Sequence, residues 1–196
     1  MSETTYILAG GSDLSHPVYW GDLSKALSQR ENAKVLSCMF SRDTDRWEEL
    51  FARFKPHFLK TFGDSADVRL ADTKRFKEQA EWADVIYLHG GDLDMLRENL
   101  PKAEPLLNLF SGKTVIGSSA GAQLLSTYCW RCSKRRVDTG LGFTPLNVLV
   151  HYQSDFGSQD PRGPIDWAKA ATELQQAAGD AEITCISEGQ FVEHRA

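Results

Sequence analysis

The chain is short of several things at once. Only four of its 196 residues are cysteine (Cys38, Cys129, Cys132 and Cys185), too few and too scattered for a disulfide framework. Cys129 and Cys132 form a C-x-x-C pair, but no second C-x-x-C or paired histidine motif completes a structural zinc set, so they read as reduced, partly buried thiols. No apolar run approaches the roughly 20 residues that span a bilayer. The opening Met-Ser-Glu-Thr-Thr-Tyr lacks the basic and apolar regions of a secretory signal, and a cytoplasmic location is the expectation. Basic residues are outnumbered, 22 against 27, and a net charge of −5 gives no reason to expect nucleic acid as a partner. There is no internal repeat, linker or low-complexity segment. At this length the chain is expected to form one α/β domain over residues 1–196.

What is present alternates. Largely apolar runs at 6–11, 34–40, 84–88, 114–118, 146–151 and 182–186, with a weaker one at 67–70, read as strands, that at 182–186 the last, before Glu188-Gly189. Helical spacing fills the intervals at 16–29 and from 43 or 44, where Asp43 or Thr44 can cap a helix carrying Trp47, Leu50, Phe51 and Phe54. Further helices are expected at 73–83 behind Asp72, at 93–110 in two pieces around Pro101 and Pro105, and at 164–178 with Gly179 as a stop. The segment from Trp130 to Arg136 reads as irregular. Strands that are apolar throughout and alternate with helices point to a mostly parallel central sheet covered on both faces, a three-layer α/β sandwich. Sites in such sheets form beyond the carboxyl ends of the strands, so Gly10-Gly11, Gly90-Gly91 and Ser119 should share a rim.

The stretch with most chemical content is Thr114-Val115-Ile116-Gly117-Ser118-Ser119-Ala120-Gly121-Ala122. It reads as strand, tight turn and helix, with Ser119 at the centre of a G-x-S-x-G pattern that would hold its Oγ out at the strand end. The amides of Ala120 and Gly121 begin a helix there, suited to a developing oxyanion. A serine nucleophile needs a base and a group to orient that base. Of five histidines, His151 ends an apolar strand and reaches the same rim. His16 lies in a loop, His57 on an amphipathic helix and His194 close to the end of the sequence. If the order along the chain is serine, acid, histidine, Asp138 is the acid, being the sole carboxylate between Ser119 and His151; Asp155 and Glu188 require another order. Two glycines at Gly90 and Gly91 let a backbone amide approach a bound carbonyl oxygen as a second oxyanion donor beside Ala120. The reaction so described is acyl transfer to Ser119 followed by hydrolysis, with His151 as base and then acid, and it requires no metal or organic cofactor.

These residues together resemble the dipeptidase E and cyanophycinase group of serine peptidases, on the class I glutamine-amidotransferase-like fold. The resemblance is carried by Val85 through Gly91-Asp92, by Gly117-Ser118-Ser119-Ala120-Gly121-Ala122, by Gly140-Leu141-Gly142-Phe143-Thr144-Pro145-Leu146 leading to His151, and by Ile186-Ser187-Glu188-Gly189-Gln190, where Ser187 stands in place of the family's proline. It implies hydrolysis of small aspartyl peptides or isopeptides, with Ser119 as nucleophile and His151 as base, and assigns Gly90, Gly91, Ala120 and Glu188 to the oxyanion and substrate-binding wall. An aspartyl carboxylate would suit one of Arg131, Lys134, Arg135 or Arg136. The partner expected is a small peptide substrate, with no nucleic acid and no membrane; a homodimer is left open. Two rival readings share the residues: an α/β-hydrolase-type esterase, and a ligand-binding domain of the same fold without chemistry.

Overall fold

The computed structural model describes residues 3–11, 14–27, 32–100 and 106–196. Its first sheet has six strands in the order β10-β1-β5-β4-β2-β3. These are β1 (Thr5–Ala9), β2 (Lys34–Cys38), β3 (Asp67–Leu70), β4 (Val85–Leu88), β5 (Thr114–Ser118) and β10 (Phe191–Arg195). All neighbours run parallel except β10, which is antiparallel to β1 with Ala9 opposite Phe191. A second sheet, ordered β7-β6-β8-β9, contains β6 (Tyr128–Arg131), β7 (Arg136–Thr139), β8 (Asn147–Val150) and β9 (Ile183–Ile186). Helices α1 (Pro17–Ala26), α2 (Trp47–Phe62), α3 (Phe76–Trp82), α4 (Leu93–Asn99), α5 (Leu106–Phe110), α6 (Ala120–Leu125) and α7 (Trp167–Ala178) cover them. The fold is therefore the expected α/β arrangement around a mostly parallel central sheet. Among the described residues no helix is long and apolar enough to cross a membrane.

Burial on both faces explains the unbroken apolar runs. Successive β1 residues Ile7 and Leu8 are both fully buried, but in different clusters. Ile7 joins Tyr19, Trp20, Phe58 and Tyr87 on one face, while Leu8 joins Leu36, Ile86, Val115 and Leu124 on the other. This is the alternation of a strand pressed between two layers. Helix α2 buries Trp47, Leu50, Phe58 and Phe62 at helical spacing, as its periodicity predicts.

Several local expectations are corrected. Asp43 makes no side-chain cap, and a 3-10 turn, Thr44–Arg46, leads into α2. Asp72 accepts from the amides of Lys74 and Arg75 at 2.7 and 3.2 Å, capping a turn before α3 starts at Phe76. The segment expected to be irregular is a hairpin, with Cys129 opposite Asp138 and Arg131 opposite Arg136. Its run of arginines hides the strand signal. The strand at 182–186 is not the last: β10 follows, its polar Glu193-His194-Arg195 fitting an edge strand that faces solvent on one side. His194 is paired with Tyr6 in that ladder. The break at Pro101 and Pro105 and the end of the helix expected at 16–29 lie outside the described residues.

Arg131 ties the hairpin to α4. Its side chain is 2 % exposed, and Nη1 donates to Asp94 at 2.7 Å and Asp138 at 3.2 Å. Hydrogen bonding from Arg131 holds the Asp94 carboxyl below its ordinary range. Burial alone would raise Asp138, but the Thr139 amide and Arg131 together bring it below its ordinary range. Carboxylates depressed by folding stabilise above their unfolded pKa, near 3.9, and lose that contribution as pH falls toward the folded value. Replacing Arg131 by Gln leaves these acids half-paired and is expected to cost about 2 kcal/mol, less than a fully buried pair because both acids keep some solvent. Urea titrations of Arg131→Gln at pH 7 and pH 3 check this: the difference from the native chain is expected to shrink at pH 3.

Candidate active site

Strand β5 delivers Ser119 to the rim in a conformation that few residues adopt, φ 48° and ψ −104°. The turn is clamped from both sides, Ser119 N donating to the Ala9 carbonyl and Gln123 N to the Ser119 carbonyl, each at 2.9 Å. Such a backbone costs on the order of 1–3 kcal/mol and persists only where its surroundings over-determine it. One surrounding is the absence of a side chain at Gly117, where a Cβ would lie 2.4 Å from the backbone of Gly121. Strand and helix can meet that closely only at glycine.

His151 arrives from the other sheet. It follows β8, with φ 57°, and its amide donates to the Gly10 carbonyl at 3.0 Å, so the second sheet is stitched to the rim of the first at this residue. The imidazole is almost buried. Its Nε2 lies 2.8 Å from Ser119 Oγ and its Nδ1 2.7 Å from Glu188 Oε1. Gly11 leaves room for the ring: a Cβ there would sit 2.4 Å from the imidazole carbon between the two nitrogens. Phe156 stacks on the ring's open face, with centroids 4.1 Å apart and planes 21° apart.

Of the sequence-derived site residues, the structure brings together Ser119, His151, Gly90, Gly91, Ala120 and Glu188. A Cβ on Gly90 would approach the Ser119 Cβ to 3.1 Å. Gly91 lines one cavity with Ser119 and His151. Ala120 is the first residue of α6. Asp138 is not brought to them. It pairs with Arg131 and, at 3.5 Å, with Arg97, and the carboxylate on His151 is Glu188 instead. The reason is topological. Asp138 lies on the outer strand of the hairpin, whereas Glu188 occupies the turn where the chain leaves β9 for β10, the crossing point between the two sheets. Glu188 is held there by Ser154 Oγ, which donates to Oε1 at 3.3 Å, with His16 Nε2 3.7 Å from Oε2.

The basic residues proposed for an aspartyl carboxylate are also placed elsewhere. Arg131 is committed to Asp94 and Asp138, Lys134 lies 3.8 Å from Asp94, and Arg135 donates to the carbonyls of Gly163 and Pro164. The cations beside Ser119 come from the β2–α2 segment, where no motif marks them. Arg42 and Arg46 line a cavity of about 490 Å³ with Ser119, His151, Asp43 and Phe156. Arg42 Nε donates to the Gly90 carbonyl at 2.6 Å, and Ser41 Oγ lies 2.9 Å from the carbonyls of both His89 and Gly90. With those carbonyls so engaged, the trans peptide from Gly90 to Gly91 directs its N–H the opposite way. His89 is neutral: burial first, and then the charge of Arg42, push its pKa down to about 3.

The family model for peptidase family S51 matches residues 6–195. The chain belongs to peptidase family S51. It is thus a serine peptidase related to dipeptidase E, and the α/β-hydrolase esterase is set aside. Two solved structures share the fold. A peptidase from an acI-B1 Actinobacterium is 20% identical with a TM-score of 0.64, covering 97% of this chain and 83% of that one. A candidate peptidase E protein from Listeria monocytogenes EGD-e is 16% identical with a TM-score of 0.66, covering 100% of both. No curated protein matches the sequence.

The C-x-x-C pair lies apart from this chemistry. Cys129 and Cys132 are buried and unpaired, and burial pushes both thiols up to about 12. Cys38 is buried and raised as well, whereas Cys185 is exposed. Iodoacetamide at pH 8 is therefore expected to label Cys185 in the folded protein and the other three only after unfolding, without loss of activity. Rapid native labelling of Cys129 or Cys132 in a peptide map would contradict this.

Proposed function

We propose that this serine peptidase hydrolyses small aspartyl peptides or isopeptides through an acyl-enzyme on Ser119. The observation that carries the reading is the hydrogen-bonded chain from Ser119 Oγ to His151 Nε2 to Glu188, with links of 2.8 and 2.7 Å. Glu188 accepts a hydrogen bond from the Nδ1–H and so keeps Nε2 unprotonated and aimed at the serine. His151 takes the hydroxyl proton as Oγ attacks the carbonyl, then passes it to the departing amine. Water repeats the cycle against the acyl-enzyme. The amides of Gly91 and Ala120 are the donors for the oxyanion that forms in between. Phe156, flat against the imidazole, favours the cationic ring present during transfer and keeps water off one face.

The aspartyl preference rests on the family resemblance together with Arg42 and Arg46 in the cavity that holds Ser119, which supply positive charge for a substrate carboxylate. Asp43, in the same wall, suits a free ammonium group. A ligand-binding domain without chemistry would have no need for a serine held in a strained turn against a paired histidine, and that observation favours the enzyme.

A fluorophosphonate is expected to label Ser119 in the native chain and nothing in Ser119→Ala. His151→Ala and Glu188→Gln are each expected to slow labelling and peptide turnover by about 10²–10⁴. Asp138→Asn is expected to stay within about threefold of native, because Asp138 pairs with Arg131 and Arg97 and touches neither Ser119 nor His151. Rates read by mass spectrometry and peptide hydrolysis separate the two acids. A large loss in Asp138→Asn with little in Glu188→Gln would return the orienting role to residue 138.

A further inference from the structure

A second cavity, of about 460 Å³, adjoins the one that holds Ser119 and shares Arg42 and Arg46 with it. Its wall adds Arg53 of α2, about two helical turns on from Arg46 at the end of the 3-10 turn, together with Phe54, His89 and Gly90. None of the described residues lining it carries a carboxylate. His89 supplies a second and independent sign of a missing partner. It is 2 % exposed, Nε2 is bonded to Ser37 Oγ at 2.9 Å, and Nδ1 has no hydrogen-bond partner among the described residues. Buried polar atoms are rarely left so, and the residue that carries this one lines the cavity.

The position of this lobe relative to the reacting atoms decides which part of a substrate it would hold. His151 must reach the departing amine, so the leaving group belongs at the His151 and Phe156 side of the first cavity, and the acyl part at its Arg42 and Arg46 side. The arginine lobe has neither Ser119 nor His151 in its wall and meets the site across Gly90, on the acyl side. Its size and charge decide what acyl group fits. A carboxylate is satisfied by one guanidinium in a forked pair, and three guanidiniums around one carboxylate would leave net positive charge confined together. A cavity of this size falls in the range of about 300–1,000 Å³ that takes a ligand much larger than one carboxymethyl group.

We infer that Arg42, Arg46 and Arg53 form an acyl-side anion subsite for a substrate carrying two carboxylates ahead of the scissile bond, an acidic peptide with consecutive acidic residues. This rests on the peptidase reading above and extends it from a single aspartyl group to a doubly charged one. It also disfavours any acyl group with a cationic side chain, which the three guanidiniums would repel.

The test compares Asp-Asp-Leu with Asn-Asp-Leu, peptides of equal size that differ by one charge. Binding is measured by calorimetry on Ser119→Ala, so that no peptide is consumed, and kcat/KM for release of leucine is measured on the native chain. Asp-Asp-Leu is expected to be favoured about tenfold in both, the preference shrinking as salt is raised because the arginines are exposed. Adding Arg53→Gln is expected to reduce the preference to within about twofold, and Arg53→Lys to retain part of it. A preference within twofold in Ser119→Ala, or one that survives Arg53→Gln, would overturn the subsite while leaving the peptidase reading in place. An unlabelled Ser119 with the charge preference intact would instead overturn the acyl-enzyme, and with it the placing of this lobe on the acyl side.

Discussion

Much of this structure depends on one imidazole being gripped at both nitrogens. His151 can bond Ser119 and Glu188 at once only if three stretches of chain, remote in sequence and drawn from two sheets, converge to within hydrogen-bond distance. That convergence accounts for features that otherwise look unrelated. The His151 amide bonded to Gly10 fixes the base to the rim of the first sheet. The missing side chain at Gly11 makes room for the ring. The passage from β9 to β10 brings a carboxylate to the junction, where the order of elements along the chain would not have put it.

The arrangement has a cost, and the cost falls near the serine. A residue at φ 48° and ψ −104° is unfavourable by itself, and Ser119 is held there by a glycine before it, a helix after it and the Ala9 carbonyl beside it. Strain of this kind is useful where a nucleophile must remain in place before substrate arrives, because the reorganisation has then already been completed during folding. The surrounding core is built to resist relaxation: Leu88, Val115, Ala122 and Leu124 are fully buried around the turn.

Much of this was legible from the residue pattern. Continuous apolar strands alternating with helices imply a parallel sheet, a parallel sheet implies a functional rim, and the G-x-S-x-G turn and His151 both fall on that rim. The carboxylate beside His151 is not the one that chain order indicates. Asp138 stands between Ser119 and His151 in the sequence, but order along the chain carries no distance information once the segment folds back as a hairpin. The hairpin was itself hidden by Lys134-Arg135-Arg136, a charge run that suggests a solvated loop. In space those charges serve structure: Arg131 joins β6 to α4, and Arg135 closes the loop at 162–164. Strand β10 was missed on similar grounds, since an edge strand with one solvated face needs few apolar residues to pair.

The arginines that border the site were hidden differently. Arg42, Arg46 and Arg53 follow one another at intervals of four and seven residues and flank the amphipathic start of α2, where exposed charges on a helix are ordinary and excite no suspicion. Their significance appears only when β2 is placed next to β4 in the sheet, which sets the loop after β2 beside the glycine turn after β4. Arg42 then bonds the Gly90 carbonyl, so one side chain both fixes the peptide proposed to donate to the oxyanion and adds charge to the cavity that holds Ser119. A residue with both duties couples recognition to chemistry. A substrate anion that draws Arg42 away from Gly90 would loosen the oxyanion donor, whereas one held by Arg46 and Arg53 would leave it in place. On the proposed reading, spreading positive charge over three arginines would let an anion be held without drawing Arg42 from the Gly90 carbonyl.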